Sequence, residues 1–403
     1  MKKIWVSLIV LLLFLLGGTF FVFSFSSKDS LEKDSSPVYQ EEETKNFSSQ
    51  QSVRLTLVGD LLFESAYYQA VNSGDAADDY FELVKDYFLE DDLSIGNMEV
   101  VIGNEELPVS GGDHYVFCAP SWVGDLVTSL DFEVLSTANN HAFDQGKAGV
   151  ISTIDYFQNH SDILTVGTFK KKEDTTKVSI LEINGIKFGF LAYSMGTNLK
   201  IPEAEQYMVS LYKESSSRVV TSQDKERMQK QIEDLKKQVD VTVLLMHWGN
   251  EFTFVPNDTQ KELAYFFNSL GVDLIVGNHS HNIQPIEWIG DEHKTLVYYS
   301  LGNFVSADED IPRTSETFNN AYQMGLLSQL NILKDENGIH IEDVTTEPII
   351  NYYDSNLRNF KLVPYHLYTE EYEVNHYRYQ KGFNKDFILN TYHQVIPDTF
   401  RNI

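Results

Sequence analysis

The stretch Val-Thr-Val-Leu-Leu-Met at 241–246 constrains the fold more than any other. It has no charged residue and no helical spacing, and it is rich in β-branched residues. Such a run fits a strand buried on both faces, and strands of that kind belong to parallel sheets covered by helices. It ends at His247, Trp248 and Gly249. Four other short apolar runs have the same form. VRLTLV at 53–58 leads into Gly59 and Asp60, and DLSI at 92–95 into Gly96, Asn97, Met98 and Glu99. FEVLS at 132–136 leads into Thr-Ala-Asn-Asn-His-Ala-Phe-Asp-Gln-Gly, and DLIV at 273–276 into Gly277, Asn278, His279, Ser280 and His281. Helical stretches lie between them. Val123, Leu126, Val127 and Leu130 share one face, as do Leu263, Phe266, Phe267 and Leu270, and Val150, Ile154 and Phe157 follow the third run. Thr259 and Glu262 suit a capping box, with Gly271 as the stop. The alternation predicts an α/β fold.

Each predicted strand therefore ends in a side chain able to bind a metal. In α/β sheets, ligands sit beyond the carboxyl ends of the strands. Asp60, Glu99, Asn140, His247, His279 and His281 can converge there although they span more than two hundred residues. Taken singly, each has a plain structural reading. Asp60 suits a turn or a cap, Glu99 a surface carboxylate, Asn139 and Asn140 turn positions, His141 a cap and His247 a hydrogen-bonded core histidine. The repetition at five strand ends favours one shared site. His279 and His281 face the same way only if the segment bends or they share an ion.

Charge and cysteine content narrow the chemistry. With 31 Lys and Arg against 59 Asp and Glu, the net charge of −28 repels nucleic acid. No nucleic-acid partner is expected, whereas divalent cations are compatible. The single cysteine, Cys118, excludes an intrachain disulfide and a thiolate cluster, and its apolar setting reads as a buried small hydrophobe. Oxygen and imidazole donors without thiolate suit Mn, Fe, Zn or Mg.

Residues 1–26 open with Lys2 and Lys3 and continue as an uncharged apolar run to about Phe23. That length suits a bilayer crossing and exceeds the apolar core of a signal peptide, and FVFSFSS is a poor cleavage site. The expectation is a single-pass transmembrane helix in the cell membrane, with a cytoplasmic N-terminus and an extracellular main domain. Residues 27–52, rich in Ser, Glu, Lys and Gln, read as a flexible linker. The main domain is expected over 53–345, with 346–403 as a C-terminal extension packed on it. A hairpin with Asn337-Gly338 in its turn is expected near the end of the domain, and the tyrosines of the extension read as packing.

The segments VGDLLFES, GNMEVVIG, ANNHAFDQG, HWGNEFTFVPNDTQKELA, DLIVGNHSHNIQP and YYSLGNFV together resemble the CapA family of poly-γ-glutamate capsule synthesis proteins, over roughly residues 53–306. That resemblance implies the calcineurin-like metallophosphatase fold, a β-sandwich flanked by helices, with a two-ion site at its strand ends. The chain departs from the broader superfamily in places. Asp60 lacks the histidine of an Asp-x-His element, and Asn97-Met98-Glu99 stands where Asp-x-x-Asp is usual. Asn139 replaces the glycine of Gly-Asn-His.

Under this resemblance Glu99 or Asp60 bridges two divalent ions. Asn140 supplies a carbonyl oxygen, His247 and His279 complete one ion, and His281 reaches the other. His141 is the expected general acid, oriented by Asp144, and Asn139 satisfies backbone groups. Asn97 falls beside the ligands. Glu251 is a candidate partner of His247 and Asn303 a candidate site-lining residue, although both serve equally well as structural polar groups. Two functions compete. One is a membrane-anchored phosphoesterase-type hydrolase of capsule biosynthesis. The other is a non-catalytic metal- or polymer-binding subunit of a capsule polymer assembly or export complex, with other synthase subunits as partners.

Overall fold

The computed structural model describes residues 51–111, 116–213, 219–307 and 314–403. The expected anchor and nearly all of the expected linker lie outside the described residues. Among the described residues no helix is long and apolar enough to cross a membrane.

Sixteen strands are described. They are β1 (Gln51–Leu61), β2 (Leu93–Met98), β3 (Ser110–Gly111), β4 (Phe117–Cys118), β5 (Val134–Ser136), β6 (Leu164–Val166), β7 (Ser179–Ile183) and β8 (Ile186–Ser194). Then follow β9 (Val241–His247), β10 (Leu274–Asn278), β11 (Ile286–Ile289), β12 (Thr295–Tyr298), β13 (Asn303–Val305), β14 (Met324–Asp335), β15 (Gly338–Tyr352) and β16 (Lys361–Pro364). All five strands expected from the apolar runs are present, but they do not share a sheet. One sheet has the order β16-β15-β14-β1-β2-β5-β6, with β13 beside the end of β1, and the other has the order β11-β12-β10-β9-β8-β7. β1, β2, β5 and β6 run parallel, as do β8, β9, β10 and β12. The result is an α/β fold of two mixed sheets flanked by helices.

Alternation along the strands explains the layering. Leu55 and Leu57 of β1, with Ile95 of β2, pack in one core with Phe188 and Phe190 of β8 and Val243 and Leu245 of β9. The two sheets thus close on each other. Each fully buried Leu, Val or Phe removes enough apolar surface to contribute about 1.5–3 kcal/mol. Outside the second sheet, Met228 and Ile232 of the helix Ser222–Lys236 and Leu263 and Phe267 of the helix Asp258–Ser269 cover Leu244, Met246 and Ile275. Outside the first, Val123 and Val127 of the helix Ser121–Thr128 and Phe157 of the helix Gly146–His160 pack with Leu61 and Leu135.

Some local expectations shift. β1 begins at Gln51 rather than Val53. The capping box of Asp258–Ser269 is formed by Asn257 and Gln260, not by Thr259 and Glu262, because Asn257 is the last extended residue before the helix. The division expected between 345 and 346 falls inside β15, one continuous strand. Asp335 pairs with Gly338, so Glu336 and Asn337 make the turn and Gly338 starts β15 with φ +120°. Cys118 is buried, and burial raises its thiol to about 11.

Candidate metal centre

The carboxyl ends of parallel strands from both sheets meet at one place. In the first sheet Asp60 is level with Asn97 on β2 and with Asn303 on β13. In the second, His247 is level with Asn278 on β10 and Ser194 on β8. Gly59 makes the close approach to β13 possible. A Cβ there would overlap the carbonyl oxygen of Gly302, which accepts from the Asp60 amide at 2.9 Å.

Asp60, Glu99, Asn140, His247, His279 and His281 are all buried and all gathered at this point. Asp60 is anchored first: Asn97 Nδ2 donates to its Oδ1 at 2.7 Å, and the His279 amide donates to its Oδ2 at 3.3 Å. His247 Nε2 lies 2.8 Å from Asn140 Oδ1, 3.0 Å from His279 Nδ1 and 3.3 Å from Glu99 Oε1. His281 Nδ1 lies 3.0 Å from Asn303 Oδ1 and 3.4 Å from Asp60 Oδ2, and its Nε2 is 3.8 Å from Glu99 Oε1. Glu99, His247 and His279 form one group that could hold a metal ion, and Asp60, Glu99 and His281 form a second. Glu99 belongs to both.

The donor inventory fits a cation. A single N–H on His247 Nε2 can serve only one of the three acceptors around it. Both oxygens of Glu99 are buried without a hydrogen bond. An orphaned buried carboxylate is costly unless a positive charge compensates it. Ligand atoms about 2.1 Å from an ion and at right angles stand about 3 Å apart, the spacing seen around His247 Nε2. The proton equilibria agree. Burial, then the charge of Asp60, drives the Glu99 carboxyl well above its usual range. Burial, then neighbouring histidines, holds His247 and His279 well below the imidazole range, leaving neutral donors suited to a metal. Burial works against protonation of His281 too, but the hydrogen bond and charge of Asp60 overcome it and the net movement is upward.

The His-x-His geometry has a backbone cause. His279 and His281 sit at φ +98° and +55°, where non-glycine residues are uncommon. This is the bend that turns both rings toward one side, a strain that the surrounding packing must hold.

Beside the centre, His141 Nδ1 is 2.7 Å from Asp144 Oδ2, and both side chains are buried. The Phe117 amide also donates to Asp144 Oδ2, at 2.7 Å, while the Phe117 ring packs edge-on to His141 with centroids 4.6 Å apart. Asn139 pins the loop: its Nδ2 donates to Met98 O at 2.8 Å and its Oδ1 accepts from the His141 amide at 3.2 Å. Glu251 is placed differently from its expectation. Its side chain is exposed and makes no hydrogen bond to His247 among the described residues, though its charge reaches Glu99 and His281. Asn303 does touch the site, through His281.

Sequence reasoning missed Asn198. It follows β8 as the other loops follow their strands, and IKFGFLAYS at 186–194 is the apolar run that would have pointed to it. The Asn198 amide donates to Asn140 O at 2.8 Å, and its side-chain nitrogen lies 3.4 Å from both ring nitrogens of His141.

Two sheets whose strand ends share a buried histidine–carboxylate cluster able to hold metal ions define the class. The particular family comes from comparison: the sequence profile of the bacterial capsule synthesis protein PGA_cap matches residues 54–308, and the chain belongs to that family. It is 28% identical to the PGA biosynthesis protein CapA of Bacillus subtilis (strain 168), over 73% of each chain. It is 26% identical to the capsule biosynthesis protein CapA of Bacillus anthracis, over 76% of this chain and 72% of that one. A hypothetical protein from Thermus thermophilus aligns with a TM-score of 0.41 and 14% identity, covering 73% of this chain and 98% of that one.

Proposed function

We propose that this protein is a membrane-anchored, metal-dependent hydrolase of the phosphoesterase type, of calcineurin-like fold, acting outside the cell membrane in capsule or poly-γ-glutamate biosynthesis. The observation that carries the reading is Glu99, buried, without a hydrogen bond at either oxygen, and common to two ligand groups. Asp60, Glu99 and His281 would hold one divalent ion, and Glu99, His247 and His279, with Asn140 Oδ1, the other. Bound there, such ions supply Lewis acidity and a water acidic enough to ionise near neutral pH.

The remaining work falls to the chain's own residues. Asp144 accepts from His141 Nδ1–H, which fixes the tautomer and the orientation of the ring. His141 is then placed to protonate a departing oxygen, a role worth about 10²–10⁴-fold in rate. Asn97 holds Asp60 in position, and Asn303 orients His281. The N-terminal apolar run would tether the domain to the membrane beside other polymer synthase subunits.

The test uses the full chain in mild detergent. Bound metals are determined by elemental analysis, and phosphomonoester and phosphodiester hydrolysis is assayed with Mn, Fe, Zn and Mg. Metal with turnover, lost in His141→Ala while metal remains bound, supports the hydrolase. Metal without turnover on any ester favours the metal- or polymer-binding subunit instead.

A further inference from the structure

Asn198 stands where the buried metal centre meets solvent. It is exposed, whereas Asn140 and His141, which its side chain meets, are buried. Its loop follows β8 and is held by other groups. The Met195 amide donates to His247 O at 3.2 Å and the Asn198 amide to Asn140 O at 2.8 Å. Ser194 Oγ donates to Gly196 O and Thr197 Oγ1 to Leu199 O, each at 2.8 Å. None of these bonds uses the Asn198 side chain, so the loop keeps its place without it.

The side-chain amide is oriented but not fully bonded. Asn140 Nδ2 donates to Asn198 Oδ1 at 3.4 Å, which turns the oxygen toward Asn140 and the NH₂ toward His141. That NH₂ nitrogen lies 3.4 Å from His141 Nδ1 and from Nε2 alike. A nitrogen equidistant from both cannot lie along the in-plane lone-pair direction of either, so it rests against the ring as a weak contact. It has no other acceptor among the described residues. His141 Nδ1 is committed to Asp144, so Nε2 is the ring nitrogen left for a ligand. The rest of the centre is short of donors. Among the described residues no lysine or arginine hydrogen-bonds to or pairs with the six ligand residues, His141 or Asp144.

We propose that Asn198 is a substrate-contacting residue, whose Nδ2–H donates to a non-bridging oxygen of a phosphoryl group seated at the metal centre. The inference rests on the reading of that centre as a phosphoesterase-type site. A phosphoryl oxygen that faces neither ion needs a protein donor, because an anionic oxygen left unbonded beside buried carboxylates is costly. His141 Nε2 serves the leaving oxygen, and the NH₂ of Asn198, resting against the same ring, is the donor beside it. A neutral amide suits the position. It offers a donor to an anion, whereas a lysine or arginine there would compete with the ions for Asp60 and Glu99.

The probe is inorganic phosphate, titrated calorimetrically into the Mn-loaded full chain in mild detergent, with Mn content fixed by elemental analysis. The parent should bind phosphate saturably. Asn198→Ala should raise Kd about tenfold with unchanged Mn content. Asn198→Asp separates contact with the ligand from support of Asn140. It keeps an oxygen facing Asn140 Nδ2 but puts a negative charge where the donor was, so its Kd should rise further, to about a hundredfold above the parent. An Asp variant that binds phosphate as the parent does would show that the residue only orients Asn140, and would overturn the proposal. Unchanged affinity in Asn198→Ala, loss of Mn from either variant, or no phosphate binding by the Mn-loaded parent would overturn it too. Turnover does not enter. A parent that binds Mn and phosphate but hydrolyses no ester would refute the hydrolase and leave this contact standing.

Discussion

Replacing Glu99 with Gln separates the cost of the metal centre from its use. The side chain is fully buried and neither oxygen has a donor. Its surroundings disfavour a negative charge: burial and the charge of Asp60 drive its carboxyl well above the usual range. In Glu99→Gln a neutral side chain of the same shape takes its place. A buried polar group left unsatisfied costs about 1–3 kcal/mol, so relief of about 2 kcal/mol is the reasonable middle. The compact unit containing the site runs from Ser48 to Ile403. At about 2.1 cal/mol/K per residue, the unfolding entropy of a unit of some 350 residues turns 2 kcal/mol into about 3 °C of Tm. Chelator-treated Glu99→Gln should therefore melt about 3 °C above the chelator-treated parent in a calorimeter at pH 8. With a divalent metal the order reverses. The parent gains stability in proportion to the logarithm of metal concentration over Kd, and the variant, lacking the anion shared by both ligand groups, gains far less. A variant that melts at or below the parent without metal, or that takes up metal equally well, would refute the reasoning.

Other perturbations test other links. His141→Ala should lower kcat about 10²–10⁴-fold and leave metal content unchanged, and Asp144→Asn should fall in the same direction, both read in the ester assay with elemental analysis. His376 should impose an acid limit on stability: its Nε2–H donates to Asn351 O at 3.0 Å, its Nδ1 accepts from the Arg378 amide at 3.0 Å, and burial holds its pKa down to about 4. The unfolded imidazole binds its proton near 6.5, so this contribution is complete above 6.5 and lost as pH falls toward 4. About 2 kcal/mol should disappear by pH 5, and denaturant titrations of His376→Gln should show a flatter pH profile. Gly59→Ala should cost about 1–3 kcal/mol in the same titration and weaken metal uptake, because the new methyl displaces Gly302 and with it the end of β1.

Much of the site could be read from the chain because it is assembled from a repeated local device. A short apolar run makes a buried strand wherever it lands, and the residues at or just beyond its carboxyl end are placed to carry a ligand. That is why Asp60, Glu99, Asn140, His247, His279 and His281 could be named from their places alone, and why the spacing of His141 and Asp144 suggested a pair. Asn198 followed the same rule on a strand whose apolar run was not used.

What the sequence determined by itself was thus the five strands that end at the site, the composition of the donors and the family motifs. Only the tertiary structure decided which strands go to which of the two sheets, that Glu99 belongs to both ligand groups, and that Glu251 remains outside in solvent. It also set the cap at Asn257 and Gln260, ran β15 unbroken past residue 345, and placed His279 and His281 at positive φ. The physical reason is one of range. Side-chain alternation and turn chemistry act over a few residues and are written locally. Pairing partner, register and the distance between groups two hundred residues apart follow from how the sheets close on a common core.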